Sequence, residues 1–364
     1  MKLKNLTNYL IAAAVLIAAL CGFLALAQSG VSTKKSVFAL NTYTSVTAYG
    51  AGGSTAADAA AEKIHAVEEQ FSAYLDTSEV AYVNSIGQKN VPIPVSDALF
   101  SVLQAALAYS EQTGGRFDIT VKPITDLWAF SSANPRVPAE AELSDALART
   151  GYQNVVLDEI NKTVTFLKDG MQLDLGGIAK GYAADEVAKT LADSGCDKAL
   201  VDLGGNIILL GQNNTPWDNF CNNWLSQDIN RAWRVGIQTP FAPTGSYLAV
   251  VSVQNTPGGR TSVVTSGAYE RNFTQDGVLY HHIIDPTTGY PYYGIVDSVT
   301  VIGARSMEAD ALSTSIFMMN IEAGLALARE NGYDVLIVDK NKKLHTTLDK
   351  NRVELTDSAY SFAE

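Results

Sequence analysis

The chain has 364 residues, of which 47% are hydrophobic and 18% charged, and its formal net charge is −12. This composition is typical of a globular protein with enough apolar material for one large domain or two closely packed ones. The excess of negative charge argues against a nucleic-acid partner, which needs clustered Lys and Arg, but it does not exclude a phosphate ligand in one local pocket.

The first 28 residues are predicted to be a signal peptide or a membrane anchor. Lys2 and Lys4 precede an uncharged apolar run at 10–27, and Ala25-Leu26-Ala27 resembles a signal-peptidase site. The run has 18 residues, close to the length that spans a bilayer, so cleavage and anchoring both remain open. Lipoprotein processing at Cys21 is a weaker alternative, since a leucine precedes it. Each alternative places the folded part on the extracytoplasmic face of a bacterial cell membrane, anchored or secreted, because the basic residues come before the run.

The rest of the chain is expected to form a linker at 29–36, a main domain at 37–350 and a C-terminal tail at 351–364. Helical and strand-like stretches are interspersed in the main domain, which indicates an α+β (mixed α/β) fold. In the first half of the domain we expect a strand or hairpin at 37–49, helices at 56–71, 78–84, 96–113 and 139–150, a strand pair at 153–157 and 163–167, and a helix at 178–194. In the second half we expect strands at 198–203, 233–240, 247–253, 262–265, 280–284 and 296–303. Helices at 308–319 and 321–331 and a strand at 334–338 follow.

The segment LDLGGIAKGYAAD at 173–185 has the pattern of a strand, a Gly-Gly turn and the start of a helix. Glycines let a backbone approach a ligand closely, and a helix N-terminus offers unpaired N–H groups to a phosphate. Asp174 stands just before the turn as an oxygen donor. Taken alone, the segment fits an ordinary strand-to-helix turn better than a phosphate site.

The sequence DLGG occurs twice, at 174–177 and at 202–205, with one predicted helix between the two copies. If the preceding strands are parallel, as a βαβ crossover requires, both turns lie on the same carboxyl edge of the sheet. Ligands bind at that edge in open α/β sheets. The repeat therefore predicts a binding site there.

Asp310 and Thr314 are four residues apart in a predicted helix, so their oxygens face one side. A carboxylate and a hydroxyl suit Mg²⁺, which prefers oxygen ligands and shares phosphate oxygens. An isolated pair of this kind is more often a helix cap or a solvated face. Two glycines at 114–115 precede Arg116, Phe117 and Asp118. Taken alone, this segment is typical of a helix C-terminus with Phe117 packed in the core.

Histidine and cysteine residues give weaker signals. His281 and His282 adjoin on a predicted strand and point to opposite faces, and one of them could act as a base or position a ligand. His65 and His345 are expected to be structural or exposed. Cys196 and Cys221 could form a disulfide or remain two buried thiols; without a CxxC motif or a Cys/His cluster, structural zinc is disfavoured.

Seven motifs in order resemble the ApbE family, the FAD:protein FMN transferases. They are GGRFDITVKPITDLWAF, LDLGGIAKGYAAD, ALVDLGGNI, WRVGIQTP, TSGAYERNF, HHIIDPTTGYP and DALSTSIF, and the likeness runs from about Phe38 to about Val338. The resemblance implies an ApbE-like fold of mixed sheets flanked by helices. It also implies a Mg²⁺-dependent enzyme that transfers the FMN moiety of FAD to a threonine hydroxyl of an acceptor flavoprotein with an FMN-binding domain, releasing AMP.

The resemblance also assigns roles to individual residues. It implies that Asp310, Thr314 and the Gly177 carbonyl hold the metal, and that His282 and Asp310 are catalytic. The implied FAD contacts are Tyr74, Asp76, Arg116, Phe117, Asp118, Asp174, Lys180 and His282. The stretch at 212–232 departs from the family pattern and could shape acceptor recognition. A Mg²⁺-dependent FAD pyrophosphatase, and an exported FAD-binding protein without catalysis, remain alternatives; the Asp310/Thr314 pair speaks against the second, because simple binding needs no metal.

Overall fold

A nine-stranded sheet organises the computed structural model, which describes residues 16–17 and 31–363. Its strand order is β1-β2-β6-β7-β10-β13-β14-β15-β17. Seven of the eight neighbouring pairs are antiparallel, and only β15 and β17 run parallel. Small separate sheets have the orders β16-β9-β8, β3-β5-β4 and β11-β12. The fold is therefore mixed α/β, as the sequence indicates.

The elements of the described residues have the following bounds. The helices are α1 Gly53–Phe71, α2 Glu79–Ile86, α3 Asp97–Gln112, α4 Lys122–Trp128, α5 Glu140–Ala148, α6 Ala179–Asp193, α7 Pro216–Trp224, α8 Ser306–Phe317 and α9 Ile321–Glu330. The strands are β1 Ser32–Ala39, β2 Thr42–Tyr49, β3 Ile93–Pro94, β4 Val155–Asp158, β5 Thr163–Phe166, β6 Ala199–Leu203, β7 Asn206–Leu210, β8 Trp233–Gln238, β9 Tyr247–Val253, β10 Arg260–Gly267, β11 Asn272–Gln275, β12 Val278–His281, β13 Val296–Gly303, β14 Asp334–Asp339, β15 Lys343–Thr346, β16 Val353–Leu355 and β17 Ser361–Phe362.

Both faces of the large sheet are covered. Successive side chains of a strand point to opposite faces. On β10, Val264 packs into the core beneath the helices, and its neighbour Val263 packs into a second core under the β16-β9-β8 sheet. On β14, Ile337 and Leu336 divide in the same way. The domain therefore has three layers: helices, the nine-stranded sheet, and the small sheet.

Helices α1, α6 and α8 form the helical layer, and small residues let them approach closely. Ala56, Ala57 and Ala60 of α1 and Ala183 and Ala184 of α6 are all buried in the helical core. Each helix presents such residues at helical spacing, which makes one face apolar. This layer brings α6 and α8 together, and the candidate site lies where the N-terminus of α6 meets the middle of α8.

The parallel arrangement that we predicted for the two DLGG segments is wrong. Residues 171–175 form no strand, and β6 pairs antiparallel with both β2 and β7. The second DLGG is the turn of the β6–β7 hairpin, where Gly204 and Gly205 have φ of 66° and 87°. The alternation that suggested a strand is nevertheless present in the burial, since Met171, Leu173 and Leu175 are buried.

Some elements and boundaries differ from expectation. Strand β1 begins at Ser32, within the predicted linker, and β16 and β17 lie in the predicted tail. Helices α4 and α7 were not predicted. None of the helices in the described ranges is both long enough and apolar enough to cross a membrane. The predicted targeting run at 10–27 lies outside the described residues, apart from 16–17.

Candidate active site

Helices α6 and α8 cross in close contact at Gly181. The Gly181 N–H donates to Asp310 Oδ2 at 2.8 Å. A Cβ at this glycine would lie 2.6 Å from Met307 Cα and 2.7 Å from the carbonyl carbon of Ser306. One turn later, Asp185 accepts the N–H groups of Ser306 and Met307 at 3.1 and 3.0 Å, and so caps α8. Two carboxylates, one from each helix, thus fix the position of α6 against α8.

Asp310 is a buried carboxylate beside a cation. Its residue is only 3% exposed. Burial raises the pKa of this carboxyl, and the positive charge of Lys180 and the Gly181 N–H oppose that rise. Isolated buried carboxylates are costly unless a charge or a metal compensates them. The site therefore favours a cation at Asp310.

Thr314 and the Gly177 turn lie next to Asp310. A Cβ at Gly177 would lie 3.5 Å from Thr314 Oγ1 and 3.0 Å from the ring of Phe117, so the missing side chain leaves the turn backbone close to α8. Thr314 Oγ1 also lies 3.4 Å from Ser266 Oγ. A carboxylate, a hydroxyl and a turn carbonyl form an all-oxygen donor set, which fits Mg²⁺.

This donor set contains one carboxylate only. Within the described ranges, no three or more His, Cys, Asp or Glu side chains are grouped so that they could hold a metal ion. Magnesium commonly uses one or two protein carboxylates and completes its shell with water and phosphate oxygens. The residues present fit that mode of binding.

His282 is the histidine near these groups. Burial, followed by the charges of Arg271 and Lys180, lowers the pKa of His282 to about 3, so the ring is neutral near pH 7. Its Nδ1 lies 3.3 Å from the Arg271 carbonyl oxygen, which can only accept. A neutral ring that donates from Nδ1 keeps a lone pair on Nε2. The unprotonated Nε2 can therefore accept a hydrogen bond from the hydroxyl of a ligand.

Comparison with known proteins identifies the family. The ApbE family model matches residues 40–337 of this chain. The chain belongs to the ApbE family. It is 37% identical to the FAD:protein FMN transferase of Treponema pallidum (strain Nichols), over 83% of this chain and 84% of that protein. It is 35% identical to an FAD:protein FMN transferase of Klebsiella pneumoniae (strain 342), over 73% and 77% of the two chains.

Solved ApbE structures share the fold. The crystal structure of the ApbE protein of Thermotoga maritima matches with a TM-score of 0.75 and 32% identity, covering 88% of this chain and 98% of that one. The flavin transferase ApbE of Vibrio cholerae matches with a TM-score of 0.70 and 30% identity, covering 87% and 97%. The predicted ApbE-like fold is confirmed.

In this ApbE chain, side chains rather than a sheet hold the glycine turn. The Asn84 side chain accepts the Leu173 N–H at 2.6 Å and donates to the Leu173 carbonyl at 2.9 Å. Asp174 accepts from Tyr74 Oη at 3.4 Å, Thr125 Oγ1 at 3.2 Å and the Gly176 N–H at 2.9 Å. Asp174 and Tyr74 therefore lie together at the turn.

Of the three residues at 116–118, only Phe117 contacts the turn. Arg116 is half-exposed, and its Nη1 lies 4.0 Å from Asp285 Oδ2. The Asp118 carboxylate is hydrogen-bonded to groups of the protein. It accepts from the Thr120 N–H and hydroxyl at 2.7 and 2.6 Å and from the Tyr152 N–H at 2.9 Å. Burial raises the pKa of Asp118, and these donors counteract the rise. Asp118 thus fixes the loop that carries Phe117.

Asp76, the remaining predicted FAD contact, is exposed on the loop after α1. Its neighbour Tyr74 is also exposed, and Lys122 Nζ lies 4.4 Å from the centre of the Tyr74 ring. Lys122 in turn pairs with Asp126 at 2.7 Å. This rim of the ApbE site is open to solvent, whereas the Asp310 side is buried.

Sequence reasoning missed Glu270. Burial raises the pKa of this carboxyl, while Lys180 and Arg271 oppose the rise and Asp310 adds to it. Glu270 Oε1 would lie 3.4 Å from a Cβ at Gly205. The second DLGG therefore does reach the site, through a hairpin turn rather than a parallel strand. The only sequence signal for Glu270 was its place in the motif TSGAYERNF.

Cys196 and Cys221 are both buried free thiols, so the disulfide alternative is wrong.

A cavity of about 760 Å³ lies on the other side of α6, among Tyr109, Asp185 and Arg260. It contains none of the predicted site residues, and Arg260 in its wall is paired with Asp185 at 3.3 Å.

Proposed function

We propose that this chain transfers the FMN moiety of FAD to a threonine hydroxyl of an acceptor flavoprotein, releases AMP and requires Mg²⁺. Membership of the ApbE family makes the chain a flavin transferase. The observation that carries the finer proposal is the buried Asp310 carboxylate, which lies beside Lys180 and next to both Thr314 and the glycine turn.

Asp310, Thr314 and the Gly177 carbonyl would hold the metal. Bound there, Mg²⁺ would offset the charge of the FAD pyrophosphate and make AMP a better leaving group. Asp310 is held for this task by the Gly181 N–H, which fixes one carboxylate oxygen and leaves the other for a ligand.

His282 would act as the base. The threonine oxygen forms a bond to the FMN phosphorus, the bond from that phosphorus to the oxygen of AMP breaks, and the threonine proton passes to His282 Nε2. Because the ring is neutral and donates from Nδ1, this nitrogen is available before the acceptor arrives. General-base assistance contributes roughly 10²–10⁴-fold.

Lys180 would neutralise phosphate charge during the transfer. Its charge lowers the pKa of Asp310, His282 and Glu270 alike. Lys180 lies in the first turn of α6, where the helix dipole also favours an anion. Positioning and charge neutralisation are the main requirements of phosphoryl transfer.

The test is an incubation of the chain with FAD, Mg²⁺ and an acceptor that contains an FMN-binding domain, followed by intact mass measurement. We expect the acceptor to gain the mass of one FMN less water, with one AMP released per event and no reaction in EDTA. Free FMN without acceptor modification would instead support the FAD pyrophosphatase. Binding of FAD without AMP release would support a non-catalytic protein.

We also propose that the domain lies on the extracytoplasmic face of the cell membrane, anchored or secreted. The support is the sequence alone: two early lysines followed by the apolar run at 10–27. Protease accessibility of the domain in intact cells, compared with lysed cells, tests this placement. Protection in intact cells would contradict it.

A further inference from the structure

Helix α7 presents an aromatic stripe to the outside. Trp217, Phe220 and Trp224 lie at helical spacing i, i+3 and i+7, and their rings are stacked with centroids 5.3 and 6.5 Å apart. Trp217 is 62% exposed and Trp224 is 77% exposed. Leu225 extends the stripe and is 55% exposed.

Two of the polar residues of this helix tie it to the domain. Asp218 is buried, forms an ion pair with Arg231, and takes part in a capping box with Thr215. Asn222 accepts the Ile229 N–H and donates to the Ile229 carbonyl, both at 2.8 Å. Polar side chains therefore tie α7 to the domain while large aromatic side chains are left exposed, which is unusual for a surface helix.

Hydrogen bonds and a proline hold the segment that carries α7, so the orientation of the aromatic stripe is well defined. Asn214 accepts the Arg231 N–H at 2.9 Å and donates to the Ile229 carbonyl at 2.8 Å, and Pro216 occupies the first turn. A contiguous exposed apolar patch rimmed by polar residues marks an interaction surface. Tryptophan in particular is enriched at the interface between membrane and water.

The start of α7 lies at the same end of the domain as Val31, the first residue of the described range 31–363. The Val31 carbonyl accepts the Gly50 N–H at 2.8 Å, and Ser32 is paired with Tyr49. Lys198 Nζ lies 4.5 Å from the Tyr49 ring centre and donates to the Asn214 carbonyl at 3.1 Å. A short chain of contacts therefore joins Val31 to the base of α7.

The distance from the apolar run to the domain is short. Four residue steps separate Ala27 from Val31, and they can span at most roughly 14 Å. If the run is anchored in a bilayer, this end of the domain stays close to the lipid headgroups. A lipid surface is then the nearest apolar partner for the stripe.

We propose that the aromatic stripe of α7 rests in the headgroup region of the membrane that holds the N-terminal run, and so sets the orientation of the domain on that membrane. The inference rests on the anchored alternative of the membrane placement proposed above. Residues 216–224 contain no Lys or Arg. The contact is therefore hydrophobic rather than electrostatic, and it needs neither anionic lipid nor low salt.

The tryptophans of the chain provide the test. Of the four, Trp128 and Trp233 are buried at 0% and 4% exposure, so only Trp217 and Trp224 can meet lipid. The full chain is reconstituted in phosphatidylcholine vesicles with or without brominated acyl chains, and tryptophan emission is recorded. We expect a blue-shifted emission, quenching by the brominated lipid, and protection from aqueous acrylamide, all unchanged in high salt.

Three variants identify the source of the signal. The double variant Trp217→Phe, Trp224→Phe keeps the aromatic stripe but should lose the quenching. Phe220→Glu should reduce quenching of the remaining tryptophans, because a charge enters the stripe. Tyr43→Glu is the matched control: Tyr43 is 81% exposed at the far end of the β1–β2 hairpin, and this variant should be quenched like the parent.

Several results would overturn the proposal. Emission unaffected by brominated lipid but quenched by acrylamide would show that the stripe faces water. Shielding from both quenchers together with dimerisation that Phe220→Glu abolishes would assign the stripe to a second copy of the chain. Shielding that appears only after an acceptor flavoprotein is added would assign it to the acceptor. FMN transfer measured in the same vesicles distinguishes failure of this contact from failure of the proposed reaction.

Discussion

Replacing Gly181 by alanine tests the contact that holds the candidate site together. A Cβ there would lie 2.6 Å from Met307 Cα and 2.7 Å from the Ser306 carbonyl carbon. Ordinary carbon–carbon contacts begin near about 3.5 Å, so α6 and α8 must separate by roughly 1 Å. The atoms in the way belong to backbone, which cannot rotate aside as a side chain can.

Two opposing effects decide the change in stability. Alanine is favoured over glycine inside a helix by about 1 kcal/mol. Overpacking costs about 1–3 kcal/mol, and stretching the Gly181 hydrogen bond to the Asp310 carboxylate costs about 1–3 kcal/mol more. The cost exceeds the gain, and we expect a net loss of about 2 kcal/mol in the free energy of unfolding.

The loss in the rate of FMN transfer should be larger than the loss in the free energy of unfolding would suggest. Separation of the helices moves Gly177 and Lys180, at the start of α6, away from Asp310 on α8. A misplacement of about 1 Å can cost about 100-fold in rate. The assay is FMN transfer to an acceptor, read by intact mass, at a temperature where urea unfolding shows both proteins folded.

The control for this experiment is Lys189→Ala, an exposed position on the same helix, which should change stability by no more than about 0.5 kcal/mol and leave transfer unchanged. Parental stability and parental transfer rate in the Gly181→Ala protein would refute the reasoning, because they would mean that α6 and α8 are not held at a fixed separation.

Three further predictions use other groups. Asp310→Asn should keep the fold, since an amide oxygen can still accept the Gly181 N–H, but should abolish transfer; full activity by intact mass would contradict the role of its charge. Burial lowers the pKa of His281 to about 4, against about 6.5 in an unfolded chain, so only the unfolded state binds this proton between those values. The free energy of unfolding should therefore fall as pH drops from about 6.5 to about 4, and His281→Gln should flatten that dependence in urea titrations. Cys196 and Cys221 are buried free thiols, so a reductant should leave the melting temperature unchanged and thiol reagents should react with them only after unfolding; a reductant-sensitive melting temperature would contradict this.

The sequence was informative where local periodicity decides the structure. Asp310 and Thr314 share a helix face because their spacing is one turn, and the structure has them on α8 as expected. Ser78 caps its helix by accepting the Ala81 N–H, as its position before a helical stretch suggests. Such features depend on a few neighbouring residues and can be read without knowledge of the fold.

Contacts between residues that are distant in the sequence were harder to predict. The alternating burial of residues 171–175 looks like a strand, but Asn84, far away in sequence, takes the place of a neighbouring strand. The antiparallel direction of β6 depends on pairing with β2 across the chain. No local pattern encodes the role of Asn84, whereas Gly204-Gly205 between two apolar runs is a local signal for the hairpin of β6 and β7. Glu270 was missed for the same reason, because its environment comes from Lys180 and Asp310 on two different helices.

Helix α7, which was not predicted, shows a different limit of the sequence pattern. The segment at 212–232 is rich in Asn and Asp, which is typical of a surface insertion. The capping box of Thr215 and Asp218 and the proline after Thr215 are helix-start signals, but the composition concealed them. Composition describes which residues are present, whereas only the fold decides which of them face water.

The pair of hydrogen bonds between Asn84 and Leu173 has a consequence for the motions of the chain. Amides in a sheet are protected from hydrogen exchange by a cooperative ladder, whereas the Leu173 amide is protected by one side chain on the short helix α2. Its exchange should therefore follow the local opening of α2 and not the unfolding of the nine-stranded sheet. The glycine turn that leads from Leu173 into α6 then belongs to a unit that can open while the sheet stays intact.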